Sequence, residues 1–198
     1  MKLLSIDIET AGLGRDCSLL EVGAVIDDLA NPRLLEELPK FHTYVLNDKI
    51  IGEPYALAMH KTILDRIAKL EEPYKYTQYS NLKIEFCGFI RQNYEPIKED
   101  FYSSHYEINV AGKNYAMFDR DWLDSAIFNN DKPPTNYKIK ICHRVIDPSI
   151  LFLKLGQDKT LPSSKECLKR AGLNGEVAHT ALDDAIMVCR LLRRHYYH

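Results

Sequence analysis

The sequence predicts one α/β domain in which a mixed β-sheet is flanked by helices. Three observations carry that expectation. The first third of the chain reads as strands with period-two alternation, and the remainder alternates helical with strand-like segments. The length of 198 residues suffices for one sizeable core, so residues 1–198 are expected to form a single domain. No internal repeat, low-complexity tract or linker interrupts it.

The first strand is SIDIET, and the segment runs on through AGL to Leu13. Strand side chains alternate between faces, so Leu4, Ile6 and Ile8 share one side while Asp7 and Glu9 emerge together on the other. Two like charges so close together destabilise a fold unless a positive charge lies between them, and the simplest such partner is a metal cation.

The glycines of TAGLGRD supply a turn into a second strand, LLEVGAVIDD, with Val22, Ala24 and Ile26 on one face. A polar, proline-bounded excursion, NPRLLEELP, precedes a third strand at KFHTYVLN, giving an antiparallel meander. ALAMHKTILDRIAKL has one continuous helical spacing through Leu57, Ile63, Leu64 and Ile67. The tyrosine-rich stretch 71–80 reads as irregular, and NLKIEFCGFIRQNY returns to a helical period with Leu82, Phe86, Phe89 and Ile90. EINVAG is a short apolar strand, FDRDWLDSAIF starts a helix, and a Pro-Pro loop at 131–137 leads to the strand KIKICHRVID. Short helices at PSILFLKL and SSKECLKRAG and a terminal helix from about 180 to 196 complete the chain.

The last helix carries the most informative local pattern. Thr180-Ala181-Leu182-Asp183 fits a capping box with Thr180 as N-cap and Asp183 reaching back. In that register His179 and Asp184 occupy the two positions that a hydrophobic staple brings together, so they are expected to be neighbours. Asp183 then shares the polar face with Arg190 and Arg194, while Asp184 lies toward Ala181, Ala185, Val188 and Leu191. The bland alternative is a capping Asp183, an Asp184 that complements the helix dipole and a surface His179. In the helix beginning near Asp119, that residue joins an apolar stripe of Trp122, Leu123, Ala126 and Ile127, so it faces the sheet or caps the helix.

Lys and Arg total 26 against 28 Asp and Glu, and a net charge of −2 excludes the strong basic field of a dedicated nucleic-acid binder. An enzyme touching a few phosphates would not need one. Local basic clusters at 138–144, at Lys165, Lys169 and Arg170, and at Arg190, Arg193 and Arg194 fit either phosphate contacts or solvated faces. Five scattered cysteines without a C-x-x-C pair support neither a disulfide framework nor a zinc site. No apolar run is long enough to span a membrane, and the N-terminus has no leader pattern, so a cytoplasmic protein is expected.

Together, Asp7, Glu9, Asp119, His179 and Asp184 form a pattern that resembles the DEDDh branch of the DnaQ-like 3′-5′ exonucleases, a group with a ribonuclease H-like fold. SIDIETAGL is similar to the first motif of that family, hydrophobic-D-x-E-T-x-G-L. AGKNYAMFDRDWL resembles the second through Asn114, Phe118, Asp119 and Leu123, and AHTALDDA the third through His179, Ala181, Asp184 and Ala185. Lys113 stands where many members have histidine, and the tyrosine-rich region 71–107 differs from the most compact relatives.

The resemblance implies that Asp7, Glu9, Asp119 and Asp184 hold two divalent cations, Mg²⁺ or Mn²⁺, as suits oxygen-only ligand sets. His179 would be the general base, an imidazole suited to that task at neutral pH, on a glycine-containing loop that lets it swing. The backbone around Thr10 and Ala11 would meet the terminal 3′ nucleotide, Leu13 would wedge against its base, and Phe118 would stack. Met59 and His60 take the place of a further nucleotide contact or are packing residues. The expected activity is release of nucleoside 5′-monophosphates from the 3′ end of single-stranded nucleic acid, with DNA set ahead of RNA although no residue separates them. The rivals are an oligoribonuclease-like RNA-degrading enzyme, a metal-dependent hydrolase of small phosphate esters and a catalytically silent binding module. Action alone, as a homodimer, or beside a polymerase or repair partner is left open.

Overall fold

The computed structural model describes residues 1–99, 104–128, 137–173 and 179–197. The expected mixed α/β, ribonuclease H-like architecture is present. Strands β1 (Lys2–Thr10), β2 (Leu19–Asp28) and β3 (Lys40–Leu46) form the antiparallel meander, and β4 (Tyr76–Gln78) adds in parallel beyond β3. On the other edge, the chain segment β6 (Ser104–Ile108) and β7 (Val110–Ala111) brings β7 alongside β1 in parallel, so the main sheet has the order β4-β3-β2-β1-β7. A second sheet pairs β5 (Lys98–Glu99) with β6 and β6 with β8 (Tyr137–Ile141), and Ile146 bridges back to Ala111.

The two faces of the main sheet are covered by different helices. Helix α3 (Tyr79–Asn93) packs Leu82, Phe86, Phe89 and Ile90 on Leu4, Ile6, Ile8, Val22, Ala24, Ile26 and Phe41. The alternation of three strands and the 3.6-residue period of α3 meet in that layer. On the opposite face lie α1 (Pro54–Met59), α2 (Lys61–Lys69) and the long α6 (Ala181–Tyr197), whose Ala185 and Cys189 pack on Val25 and whose Val188 and Leu192 pack on Leu3. Helix α4 (Asp119–Leu123) continues as a π-helical turn, Asp124–Phe128, and α5 (Ser164–Arg170) follows a short 3₁₀ segment, Pro148–Phe152.

Four details differ from the sequence-based expectation. The helix read over 56–70 is two helices broken at His60, whose φ and ψ of −92° and 23° leave the α region and turn its ring inward. The irregular stretch 71–80 contains β4, which at three residues is too short to show alternation. Two of its tyrosines are packing residues: Tyr74 and Tyr76 cluster with Tyr44, with the Arg66 guanidinium 4.4 Å from the Tyr74 ring centroid, whereas Tyr79 is exposed. PSILFLKL forms only the 3₁₀ turn, and the expected single sheet is divided in two. The Pro-Pro loop falls mainly outside the described residues. Among the described residues no helix is long and apolar enough to cross a membrane.

Candidate metal centre

Asp7 and Glu9 project from β1 on the face away from α3, and Asp184 approaches them from the first turn of α6. One carboxylate oxygen from each of the three lies within 4.8 Å of the others. Three local features bring α6 there. Thr180 accepts a hydrogen bond from the Asp183 amide at 3.3 Å and donates to the Asp183 carboxylate at 2.6 Å, so it is the N-cap and Asp183 engages its hydroxyl. Ser5 Oγ donates to the Ala185 carbonyl at 2.7 Å. Gly23 faces the start of the helix, where any Cβ would stand 2.2 Å from the backbone of Ala181 and Leu182. Only a glycine permits that approach.

Asp119 reaches the site from the first residue of α4. It is 3% exposed, and its Oδ1 accepts the Ile8 amide at 3.2 Å. The N-cap position belongs to Phe118, so Asp119 faces the sheet instead of capping its helix. After burial itself, Asp119 is the largest influence raising the pKa of Asp7, followed by Asp184, Glu9 and Glu21.

All four carboxyls hold protons more tightly than ordinary acids. Burial, then the charges of Glu21, Asp184 and Asp119, push Glu9 up to about 8. Burial raises Asp119 to about 7 against the lowering effect of its backbone hydrogen bonds, and raises Asp184 to about 6 against the opposing charge of His179. The energetic meaning is direct: among the described residues, the charges acting on Asp7 and Glu9 are other carboxylates. Oxygen-only donors gathered from β1 and α6 fit a hard divalent cation, and Asp119 of α4 lies outside that 4.8 Å group.

His179 is exposed, with a left-handed φ of 51°, and its charge acts to lower the pKa of Asp184. The glycine-containing loop proposed to carry it lies outside the described residues over 174–178. His60 is 5% exposed with Nε2 3.5 Å from Glu9 Oε2, and burial lowers its pKa, which favours the neutral ring.

A cleft of about 280 Å³ opens beside Glu9, lined by Thr10, Leu13, Met59, His60 and Phe118 together with Glu53 and Tyr55. Leu13 and Met59 are 77% and 57% exposed, so apolar side chains are offered to solvent at the rim of an acidic site. Ala11 is buried outside the cleft lining, its amide donated to the Ser18 carbonyl at 2.8 Å and its carbonyl accepting from Glu53 at 2.8 Å. Asn114 also stands outside the lining. With a φ of 59°, it shapes the turn before α4, its carbonyl accepting from Met117 and Phe118 and its amide bonded to Asp147. Lys113 donates to Ser149 Oγ at 2.7 Å and to the Pro162 carbonyl, which ties the 148–163 segment to this turn.

The basic clusters contribute largely to internal contacts. Arg193 forms a two-pronged pair with the buried Asp27 at 2.7 Å, Arg170 bonds Asp158 and Glu166, Lys140 bonds Glu107, and Arg194 bonds the Ala171 carbonyl.

Besides Glu53 and Tyr55 of the cleft lining, sequence reasoning passed over a buried residue at the acidic cluster. Glu21 is fully buried and stands opposite Glu9 in the β1–β2 ladder, with Oε1 2.6 Å from His42 Nε2. A signal for it existed: if Val22, Ala24 and Ile26 face the core, Glu21 must share the other face with Gly23 and Asp27.

No protein-family profile matches the sequence. No curated protein matches it. The fold, however, is shared with solved nucleases. Cell-death related nuclease 4 (CRN-4) superposes with a TM-score of 0.63 at 15% identity, covering 98% of this chain and 62% of its own. This chain thus spans under two thirds of that protein. Pop2p of S. pombe, solved in a form with Mg²⁺ and Mn²⁺ bound, gives 0.57 at 12% identity over 96% of this chain and 81% of its own. Exonuclease X in complex with 5′ overhanging duplex DNA gives 0.51 at 18% identity over 98% of this chain and 91% of its own.

Proposed function

We propose that this protein is a metal-dependent 3′-5′ exonuclease of the DEDDh type, removing nucleoside 5′-monophosphates from single-stranded ends. One observation carries the reading: Asp7, Glu9 and Asp184, from opposite ends of the sequence, converge within 4.8 Å beside a cleft with an exposed apolar rim. The fold shared with a nuclease, with an exonuclease solved on DNA and with a protein solved with Mg²⁺ and Mn²⁺ bound supports it.

Asp7, Glu9, Asp119 and Asp184 would hold two divalent cations, Mg²⁺ or Mn²⁺. When bound, such a pair supplies charge stabilisation to the attacking and leaving oxygens of a phosphodiester displacement. The chain's own residues do the rest. His179 accepts the proton of the attacking water as the general base, and its exposed position gives it access to solvent. Leu13, Met59 and Phe118 bind the terminal base through apolar and stacking contacts, and Thr10 and His60 close the inner wall.

The test is digestion of matched 5′-labelled DNA and RNA oligomers with Mg²⁺, Mn²⁺ or EDTA, read on a sequencing gel. The expected result is a ladder shortening one nucleotide at a time from the 3′ end, abolished by EDTA. Activity confined to small phosphate esters, or none on either polymer with either ion, would overturn the reading.

A further inference from the structure

Glu21 is a buried carboxylate that the proposed reaction leaves unused. It is 0% exposed, and while His42 engages Oε1, its Oε2 has no hydrogen-bond partner among the described residues. An unsatisfied buried acceptor costs about 1–3 kcal/mol, and more when charged, so its retention calls for a reason.

Its place in the ladder suggests one. Residues directly opposed in an antiparallel pair have Cβ atoms roughly 5 Å apart, and the partner of Glu21 is Glu9. On its other side Glu21 is held by His42, whose ring stands edge-on to Tyr44 at 5.1 Å, and the Tyr44 hydroxyl accepts Arg66 Nη1 at 2.7 Å. A braced chain of side chains from β3 and α2 thus ends at one oxygen of Glu21. The other oxygen is unpartnered among the described residues, and Glu21 acts electrostatically on Asp7, Glu9, Asp184 and His60.

We infer that Glu21, held by His42, is a positioning residue for the cation site: its unpaired oxygen takes hydrogen bonds from cation-bound water, and its charge deepens the potential around Glu9. The inference rests on the proposed metal centre. The competing role is purely structural, a buried pair that joins β2 to β3. Groups of this kind behind metal ligands tune affinity by about 10- to 100-fold.

Calorimetric titration of the full chain with MnCl₂ separates these roles, using wild type, Glu21→Gln and His42→Gln, with melting in EDTA alongside. Glu21→Gln is expected to bind Mn²⁺ about 10- to 100-fold more weakly while melting at or above the wild-type temperature, because it removes a buried like charge. Its turnover on the labelled oligomer should recover when Mn²⁺ is raised about 100-fold, which structural damage would not allow. An affinity loss below about tenfold overturns the inference, whatever the melting point. If Glu21→Gln does not fold, the same threshold is read on His42→Gln, and unfolding of both variants establishes the structural role instead. A wild-type protein that binds no Mn²⁺ would overturn the metal centre itself, whereas intact wild-type binding with unchanged variants removes only the role of Glu21.

Discussion

The same strands present two contrasting faces. Toward α3, β1 to β3 set Leu4, Ile6, Ile8, Val22, Ala24, Ile26 and Phe41 into a layer closed by three phenylalanines of α3 and the following helix, with Phe86 5.1 Å from Phe41 and 5.8 Å from Phe128. Toward α6, the alternate residues of β1 and β2 include Asp7, Glu9, Glu21 and Asp27, all buried or nearly so. The first face gains free energy from every side chain it buries, and the second spends part of that gain to hold charge out of water. One carboxylate, Asp27, has its Arg193, and Glu21 has its His42, whereas Asp7, Glu9 and Asp184 gather among the described residues with no lysine or arginine paired to them.

The sharpest way to break the contrast is to remove charge from the second face. Asp7→Ala should lower nuclease turnover to background while the metal-free protein melts at or above the wild-type temperature, measured by single-turnover digestion and calorimetry. His179→Ala, which leaves the carboxylates intact, should cost about 10²- to 10⁴-fold in turnover with Mn²⁺ affinity retained. On the first face the signs reverse. Phe86→Ala should cost about 3–5 kcal/mol in urea unfolding, with turnover per folded molecule unchanged.

The pH dependence of the metal-free protein reads the same charged face. Glu9 at about 8, Asp119 at about 7 and Asp184 at about 6 all hold protons more tightly when folded than in the unfolded chain, so the native state binds more protons between these limits. The contribution of these groups is therefore full below the unfolded carboxylate range and is lost as pH rises from about 4 to about 8. Melting at pH 5 and pH 8 in EDTA checks the sign, and Mn²⁺ should remove the slope.

Much of this was readable in the sequence because it follows local periodicity. The limits of β2 match the sequence reading, α3 and α6 agree within two residues, and the placement of Asp184 inward and Asp183 outward follows from helical projection alone. What escaped depends on contacts between distant segments. The His60 break interrupts a helical spacing that looks continuous, and the site where His60 meets Glu9 is visible only after folding. Tyr74 and Tyr76 gain meaning from Arg66 and Tyr44, not from their own spacing. Glu21 was hidden differently: the face was deducible, but its register against Glu9 depends on the path of the loop between β1 and β2.

The approach of α6 to Gly23 carries a consequence for biosynthesis. The ribosome releases Asp7 and Glu9 long before Asp184, and that last acid reaches them only when its helix docks on a surface kept bare by a missing side chain. A nascent polypeptide that has not reached residue 179 therefore lacks both the final acid and the imidazole, so the proposed chemistry waits for the last helix.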